Sequence, residues 1–351
     1  MPHPPPDAQP AALFLAYDPE APSFRHRLRD VAARLEAHGW SCSVERFPRG
    51  RYFRRWLERR RELAAARLVV LSKINLGLGE AALLGRWSRR TVLDFDDAIY
   101  LRRPRALGEL PGRSALRGAK FDRTCSASWL VLAGNDTLAE RARARGRRVE
   151  VVPTSVDVEA FPAGPAPRRG DTVVWIGRPE NLVYLELVRP ALAVLAREFP
   201  GLTLRVVSSE FPEWPEVRIE RVPWSEAGEA AALASADVGV MPLFDDGWTR
   251  GKCAFKLLQY MAASLPAVAS PVGANREVVV AGETGYLAAA PEEWTAHLRE
   301  ILTAPERAAA MGRAARASVA RRFDRRATVE RVVGLLREAA GRGQCGEADA
   351  L

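Results

Sequence analysis

Short apolar runs recur along the chain, and most are followed by a stretch whose apolar positions fall three and four apart, the alternation of a buried strand with an amphipathic helix. AALFLAY (Ala11 to Tyr17) predicts a buried strand, and Phe24 to His38 a helix ended by Gly39. Ser41 to Phe47 alternates as a second strand, Arg51 to Ala66 predicts a basic helix, and Leu68 to Leu71 a short strand. Helix Gly79 to Ser88, strand Thr91 to Phe95, strand Trp129 to Ala133, helix Asp136 to Arg145 and strand Val149 to Val152 continue the series. Strands that are apolar on both faces and alternate with helices argue for a parallel sheet covered on both sides.

The pattern stops at FPAGPAPRRGD (Phe161 to Asp171), a Pro/Gly-rich stretch without periodicity, and then begins again. Thr172 to Ile176, Leu202 to Val207, Val217 to Arg221, Val238 to Met241 and Ala267 to Ser270 predict strands. Helices are expected over Leu182 to Glu198, Glu226 to Ser235, Pro291 to Leu302, Glu306 to Arg322 and Arg326 to Ala339. The fold class is therefore α/β, with two Rossmann-like, doubly wound domains expected to face a central cleft where ligands of such sheets bind. The expected division is 1–163, 164–323, a final helix over 324–340 crossing back to the first domain, and a flexible tail over 341–351.

Charge sharpens this division. Residues 1–163 hold 29 Lys+Arg against 19 Asp+Glu, and the rest of the chain holds 23 against 24. The basic first half suits an anionic partner, whether a phosphate-carrying acceptor, an acidic membrane surface or nucleic acid; Arg standing in for Lys on solvated faces would give the same excess. The aromatic residues do not recur on a strand platform, so no nucleic-acid partner is expected. No apolar run is long enough to span a bilayer, and MPHPPPDAQP lacks the layout of a signal peptide, so a cytoplasmic location is expected. Cys42, Cys125, Cys253 and Cys345 are far apart and suggest neither disulfides nor a zinc site.

Three places carry candidate chemistry. Asp94, Asp96 and Asp97 end the buried strand TVLDF, where carboxylates can orient a hydroxyl, act as a base or hold a cation, or else cap and pair locally. Gly177-Arg178 follows the strand TVVWI, from where an arginine can reach a phosphate or simply turn into solvent. In DDGWTRGKCAFKLLQYMAASLPAVASPVG (Asp245 to Gly273), Gly251 stands at the expected helix start, with Lys252 and Lys256 on adjacent turns. There is no Walker loop and no GxGxxG turn, which leaves ATPase and dinucleotide dehydrogenase readings unsupported.

WIGR, VPWSEAGEAAALASADVGVMPL, GKCAFKLLQYMAASLPAVASPVGANREVV and GETGYLA, in this order from Val173 to Leu287, resemble the donor-binding domain of GT-B glycosyltransferases, in particular family 4 (glycosyl transferases group 1). TVLDFDDAIYL, VLAGNDTLAERA and VVPTSVD are similar to the acceptor domain of one branch of that family. The resemblance implies a retaining, metal-independent hexosyltransferase using a nucleotide diphosphate sugar as substrate, with no further cofactor. It implies catalytic roles for Arg178 and Lys256, to which the strand-end acids Asp96 and Asp97 are added as catalytic candidates, and donor contacts from Gly177, Arg178, Trp224, Gly251, Lys252, Lys256 and Gln259. The backbone at Gly251 and Lys252 is expected to donate N–H groups to the diphosphate. The chain departs from the family at Gly251 and Gln259, where many members carry glutamates, at Asp96, where a histidine is common, and at Val183, where a lysine is usual.

The expected acceptor is a glycan or lipid-linked group in polysaccharide or glycolipid synthesis. The basic RYFRRWLERRREL segment is expected to give peripheral contact with an anionic membrane at the inner face. A GT-B nucleotide-sugar epimerase and a degenerate, non-catalytic nucleotide-sugar-binding protein are the alternatives.

Overall fold

The computed structural model describes residues 9–47, 57–88, 90–104, 109, 111–162 and 171–341. Residues Arg51 to Trp56 of the expected basic helix, most of the Pro/Gly-rich stretch and the C-terminal tail, with Cys345, lie outside the described residues. The chain forms two compact units. One comprises Met1–Arg102, Gly112–Thr154 and Arg326–Leu351; the other comprises Arg103–Pro111 and Ser155–Arg325.

The first unit is a parallel six-stranded sheet of β1 (Ala11–Ala16), β2 (Ser41–Arg46), β3 (Leu68–Ser72), β4 (Thr91–Phe95), β5 (Leu130–Ala133) and β6 (Val149–Val151), in the order β2-β1-β3-β4-β5-β6. The direction of winding reverses between β1 and β3, so the carboxyl edge opens there. β3 and β4 are buried along their whole length, which suits the mainly apolar strands of a parallel sheet and also buries Ser72, Thr91 and Asp94. The expected helix from Phe24 to His38 is in fact a helical turn at Pro22–Phe24, a π-helical segment Arg25–Arg29 and an α-helix Asp30–Ala37. The π segment buries Arg25, Arg27 and Leu28 together, which a regular 3.6-residue repeat would not. The C-terminal helix Arg325–Gly341 packs Val332, Val333, Leu336 and Ala339 into the same core as Phe14 and Leu35.

The second unit repeats the architecture with β7 (Thr172–Ile176), β8 (Thr203–Ser208), β9 (Arg218–Pro223), β10 (Val238–Met241), β11 (Ala267–Ala269) and β12 (Gly285–Leu287), in the order β12-β11-β10-β7-β8-β9. Here the reversal lies between β7 and β10. The expected Leu182 to Glu198 helix is a 3₁₀ segment, Pro179–Leu187, followed by an α-helix, Arg189–Glu198, whose first turn holds Pro190, since proline is favoured in a first turn and not in a helix interior.

The helix Ala115–Ala127 was not anticipated, since Phe121, Thr124 and Cys125 are its only buried side chains and no apolar stripe marks it. β12 is three residues long and opens on a glycine, so it leaves no apolar run in the sequence. Its Gly285 lies so close to β11 that a Cβ would stand 2.3 Å from the Ala267 carbonyl oxygen.

Candidate functional site

In the first unit, Asp94 and Asp96 leave β4 for different purposes. Asp94 is buried, and its carboxylate takes the guanidinium of Arg27 side-on, with Nη2 at 2.6 Å and Nε at 3.0 Å from Oδ1. Arg27 Nη1 also donates to the Val152 carbonyl at 2.8 Å. This carboxylate therefore fastens the π segment to the sheet and is not available for chemistry. The ammonium of Lys73, just past β3, lies 3.0 Å from Asp96 Oδ1, bonds to Asp97 and donates to Ser23 Oγ at 3.0 Å.

Burial alone would keep the Lys73 ammonium from holding its proton, but Asp96 and Asp97 outweigh it and raise the pKa. Burial likewise opposes ionisation of Asp96, yet Lys73 and Arg27 prevail and hold its carboxyl below the usual range. Asp96 is thus an ionised hydrogen-bond acceptor at the carboxyl edge of the sheet. Lys73, which sequence reasoning missed, has φ +55°, a left-handed conformation that costs a residue with a Cβ about 1–2 kcal/mol. The sequence signal was a basic residue immediately after an apolar strand, the same signal that marked Arg178.

In the second unit, the strands β7 and β10 pair at Val238–Val173 and Gly239–Val174 and then part. Tyr260, on the helix Phe255–Ala262, fills the gap. Its hydroxyl accepts from the Ile176 N–H and donates to the Val240 carbonyl, both at 3.2 Å. Only glycine fits beneath the ring, since a Cβ on Gly239 would stand 2.4 Å from it. The helix is thereby anchored across the reversal point, and its first turn lies beside the strand ends.

That first turn carries no acidic residue. Lys256 occupies it, and its Nζ lies 5.3 Å from the centroid of the Trp175 ring. Gly177 makes room, because a Cβ there would meet Trp175 at 2.6 Å and Lys256 Cε at 2.9 Å. A lysine at the positive end of a helix dipole is unfavourable by itself and becomes favourable when an anion joins it. The residue before the helix, Ala254, is buried with φ +53°, a second strained backbone position, here at the helix N-cap. Ser264, with φ +57°, closes the other end of the helix in a Schellman arrangement, the Leu265 N–H bonding to the Tyr260 carbonyl.

The expectation for Gly251 and Lys252 needs correction. Gly251 ends a 3₁₀ turn, Thr249–Gly251, four residues before the helix begins, so Lys252 lies in the loop and not on a helix face. The Gly251 and Lys252 N–H groups bond to the Trp248 and Thr249 carbonyls and are not the donors an anion would meet. Asp246 accepts from the Trp248 and Thr249 N–H groups, and Asp245 pairs with Arg250 at 2.6 Å; these bonds shape the loop.

Lys252 brings its Nζ to 3.5 Å from Asn181 Oδ1 and 5.7 Å from the centroid of the Tyr184 ring. Arg178, largely exposed, points its Nε at Glu180 Oε1, 3.2 Å away. Arg103, also missed in the sequence, donates to Glu180 Oε1 at 3.1 Å and to Asn181 Oδ1 at 2.9 Å. Burial opposes ionisation of Glu180, but a backbone N–H and the two arginines outweigh it and hold its carboxyl below the usual range. Like charges about 5 Å apart repel by about 1 kcal/mol in water and about 3 kcal/mol at an effective dielectric of about 20, so a group of cations this dense is suited to an anion with more charge than one carboxylate.

Gln259 is buried on the same helix, one turn beyond Lys256. Trp224 stands apart from this group, just beyond the edge strand β9, half-exposed with its Nε1 donating to Glu229 at 2.9 Å. Val183 packs against the core, as an apolar residue should. Among the described residues no cluster of His, Cys, Asp and Glu has the arrangement of a metal site.

Two Rossmann-like units, the second with a cationic reversal point, define the GT-B class of fold. HepE from Anabaena, solved in complex with UDP, superposes with a TM-score of 0.65 at 15% identity, over 93% of this chain and 100% of that one. Residues 170–304 match the family model of glycosyl transferases group 1, so the chain carries a group 1 module. The D-inositol 3-phosphate glycosyltransferase of Segniliparus rotundus is 30% identical over 262 residues, 67% of this chain and 56% of the relative. The phosphatidyl-myo-inositol mannosyltransferase of Mycobacterium tuberculosis is 29% identical over 215 residues, 55% of this chain and 54% of the relative. The chain thus spans about half the length of the curated relatives it matches.

Proposed function

We propose that the chain is a glycosyltransferase that moves a sugar from a nucleotide diphosphate sugar to a glycan or lipid-linked acceptor, with retention of anomeric configuration. The observation that carries this reading is the gathering of Arg178, Lys252, Lys256 and Arg103 where β7 and β10 part, on a module of the group 1 family. Cleavage of the bond from the anomeric carbon to the phosphate oxygen leaves a nucleoside diphosphate bearing new negative charge. Fixed guanidinium and ammonium groups stabilise that charge as it develops, a role that a divalent ion fills in other sites. Lys256, held between Trp175 and Gly177, is the most constrained of these cations. Gln259 is placed to hydrogen-bond a sugar or ribose hydroxyl.

In the first unit, ionised Asp96 is suited to accept a hydrogen bond from a sugar hydroxyl, with Asp97 bonded to the same ammonium and Lys73 as the positioning residue that keeps Asp96 charged. The UDP bound to HepE favours a nucleoside diphosphate donor, and the lipid named for the mycobacterial relative favours a lipid-linked acceptor. Peripheral contact with anionic lipid belongs to the same reading and rests on the basic first half; no helix of the described residues is long and apolar enough to cross a membrane.

The test is binding followed by turnover. A thermal-shift panel of nucleotide sugars should identify a donor that raises the unfolding temperature. Arg178→Ala and Lys256→Ala should each weaken its binding by about 10–100-fold, the equivalent of one charge-assisted hydrogen bond at about 1.5–3 kcal/mol. Unchanged affinity and turnover in both variants would reject the site.

A further inference from the structure

The corner around Glu180 shows more than a set of cations near a strand end. Its acceptors are shared. Glu180 Oε1 lies 3.1 Å from Arg103 Nη1 and 3.2 Å from Arg178 Nε, and Asn181 Oδ1 lies 2.9 Å from Arg103 Nη2 and 3.5 Å from Lys252 Nζ. Arg103 is therefore the link that joins Arg178 to Lys252 through two acceptors, and its Nη2 also donates to the Glu180 carbonyl at 2.7 Å. The Nε of the same guanidinium is buried and, among the described residues, has no hydrogen-bond partner.

We propose that Glu180 is an internal surrogate for the donor's diphosphate, gathering Arg103 and Arg178 on one carboxylate oxygen, and that Arg103 is a donor-binding residue that passes from Glu180 to the diphosphate. The inference rests on reading this corner as the donor site. The Glu180 carboxylate offers one charge to two guanidinium groups, with Lys252 on a neutral amide oxygen, whereas a diphosphate offers several terminal oxygens and at least two charges, so the exchange improves both hydrogen bonding and electrostatics. Arg103 brings a planar fork that can bridge two phosphate oxygens, which neither lysine can do. A residue serving only as a strut would satisfy all its donors on protein and would not share both side-chain acceptors with cations of the site; Arg103 leaves Nε unspent and shares both. Glu180 in turn keeps like charges together that would otherwise repel, so the cations are assembled before the donor arrives.

The experiment measures binding of three probes by calorimetry: inorganic pyrophosphate, uridine diphosphate and uridine. Arg103→Ala should weaken pyrophosphate and uridine diphosphate by about tenfold, the scale of one bidentate contact, and leave uridine unchanged. Arg103→Lys should recover part of the loss, because it restores charge without the fork. Glu180→Gln should tighten pyrophosphate by about threefold to tenfold, since the competing charge is gone while the shape is kept. Equal weakening of uridine and uridine diphosphate in Arg103→Ala would make Arg103 a structural strut and overturn the proposal. So would an Arg103→Ala affinity for pyrophosphate equal to wild type while Arg178→Ala is weakened, a result that leaves the donor-site reading standing. Weaker pyrophosphate binding in Glu180→Gln would overturn the surrogate role. Failure of the unsubstituted protein to bind either phosphate probe would remove the donor-site reading itself, and this proposal with it.

Discussion

Tyr260→Phe removes one oxygen atom and changes nothing else in the shape of the core, so it isolates the bond that holds the site helix. In the native protein that oxygen satisfies the Ile176 N–H and the Val240 carbonyl, where β7 and β10 no longer pair with each other. Both backbone groups lie in fully buried surroundings, and Tyr260 is itself fully buried. The loss of two hydrogen bonds at about 1 kcal/mol each, with the added cost of leaving a buried donor and acceptor unpaired, puts the destabilisation at about 2–4 kcal/mol. Urea unfolding followed by tryptophan fluorescence reads this directly, because Trp175 and Trp294 are buried in the same unit. The variant should also bind pyrophosphate more weakly, since the helix that carries Lys256 is no longer tied to the strand ends. A loss smaller than about 0.5 kcal/mol would refute the reasoning, because it would mean that the strands close on each other or that water replaces the hydroxyl.

Gly177→Ala should weaken pyrophosphate binding by about threefold to tenfold by displacing Lys256, and cost about 1–3 kcal/mol from the clash with Trp175; calorimetry and thermal unfolding check the two effects separately. Asp94→Asn removes the carboxylate that takes the buried Arg27 side-on and should cost about 3–5 kcal/mol in urea unfolding, whereas a loss below about 1 kcal/mol would show that the pair is not what holds the π segment. The contact between Lys73 and Asp96 has a pH window with two ends. The lowered pKa of Asp96 makes its contribution present above the ordinary aspartate value of 3.8 and lost as pH falls through the lowered one. The raised pKa of Lys73 makes its contribution present below the ordinary value of 10.5 and lost as pH rises through the raised one. Lys73→Met should therefore be most destabilising between about pH 4 and pH 10, with the difference from wild type narrowing in acid and in strong base; a difference constant across that range and beyond would sink the argument.

Much of the fold was legible in the chain because buried parallel strands leave an unmistakable mark. β4, β7 and β10 fall where the apolar runs fall, and proline and glycine punctuate the connections between them. Elements without a periodic apolar face were not legible. The helix Ala115–Ala127 buries few side chains, and the π segment Arg25–Arg29 looks like an ordinary helix until Arg25 and Arg27 are seen to turn inward together. Among the candidate residues, local rules singled out Gly177 and Arg178 after a strand and Asp96 and Asp97 at the end of another, and Lys256 on a helix expected to start at Gly251 that in fact starts at Phe255.

The residues missed are those whose role depends on a distant partner. Lys73 matters through Asp96 and Asp97, Arg103 through Glu180 and Asn181, and Asp94 is withdrawn from chemistry by Arg27, 67 positions earlier. The sequence by itself determined two doubly wound sheets, the strand ends where ligands would meet them, and an excess of cations at one of those ends. Only the tertiary structure decided which charges neutralise one another and which are left crowded on a shared oxygen. The physical reason is range: hydrophobic periodicity is set by neighbours three or four residues away, whereas the state of a buried charge is set by whatever the fold brings within a few ångströms of it.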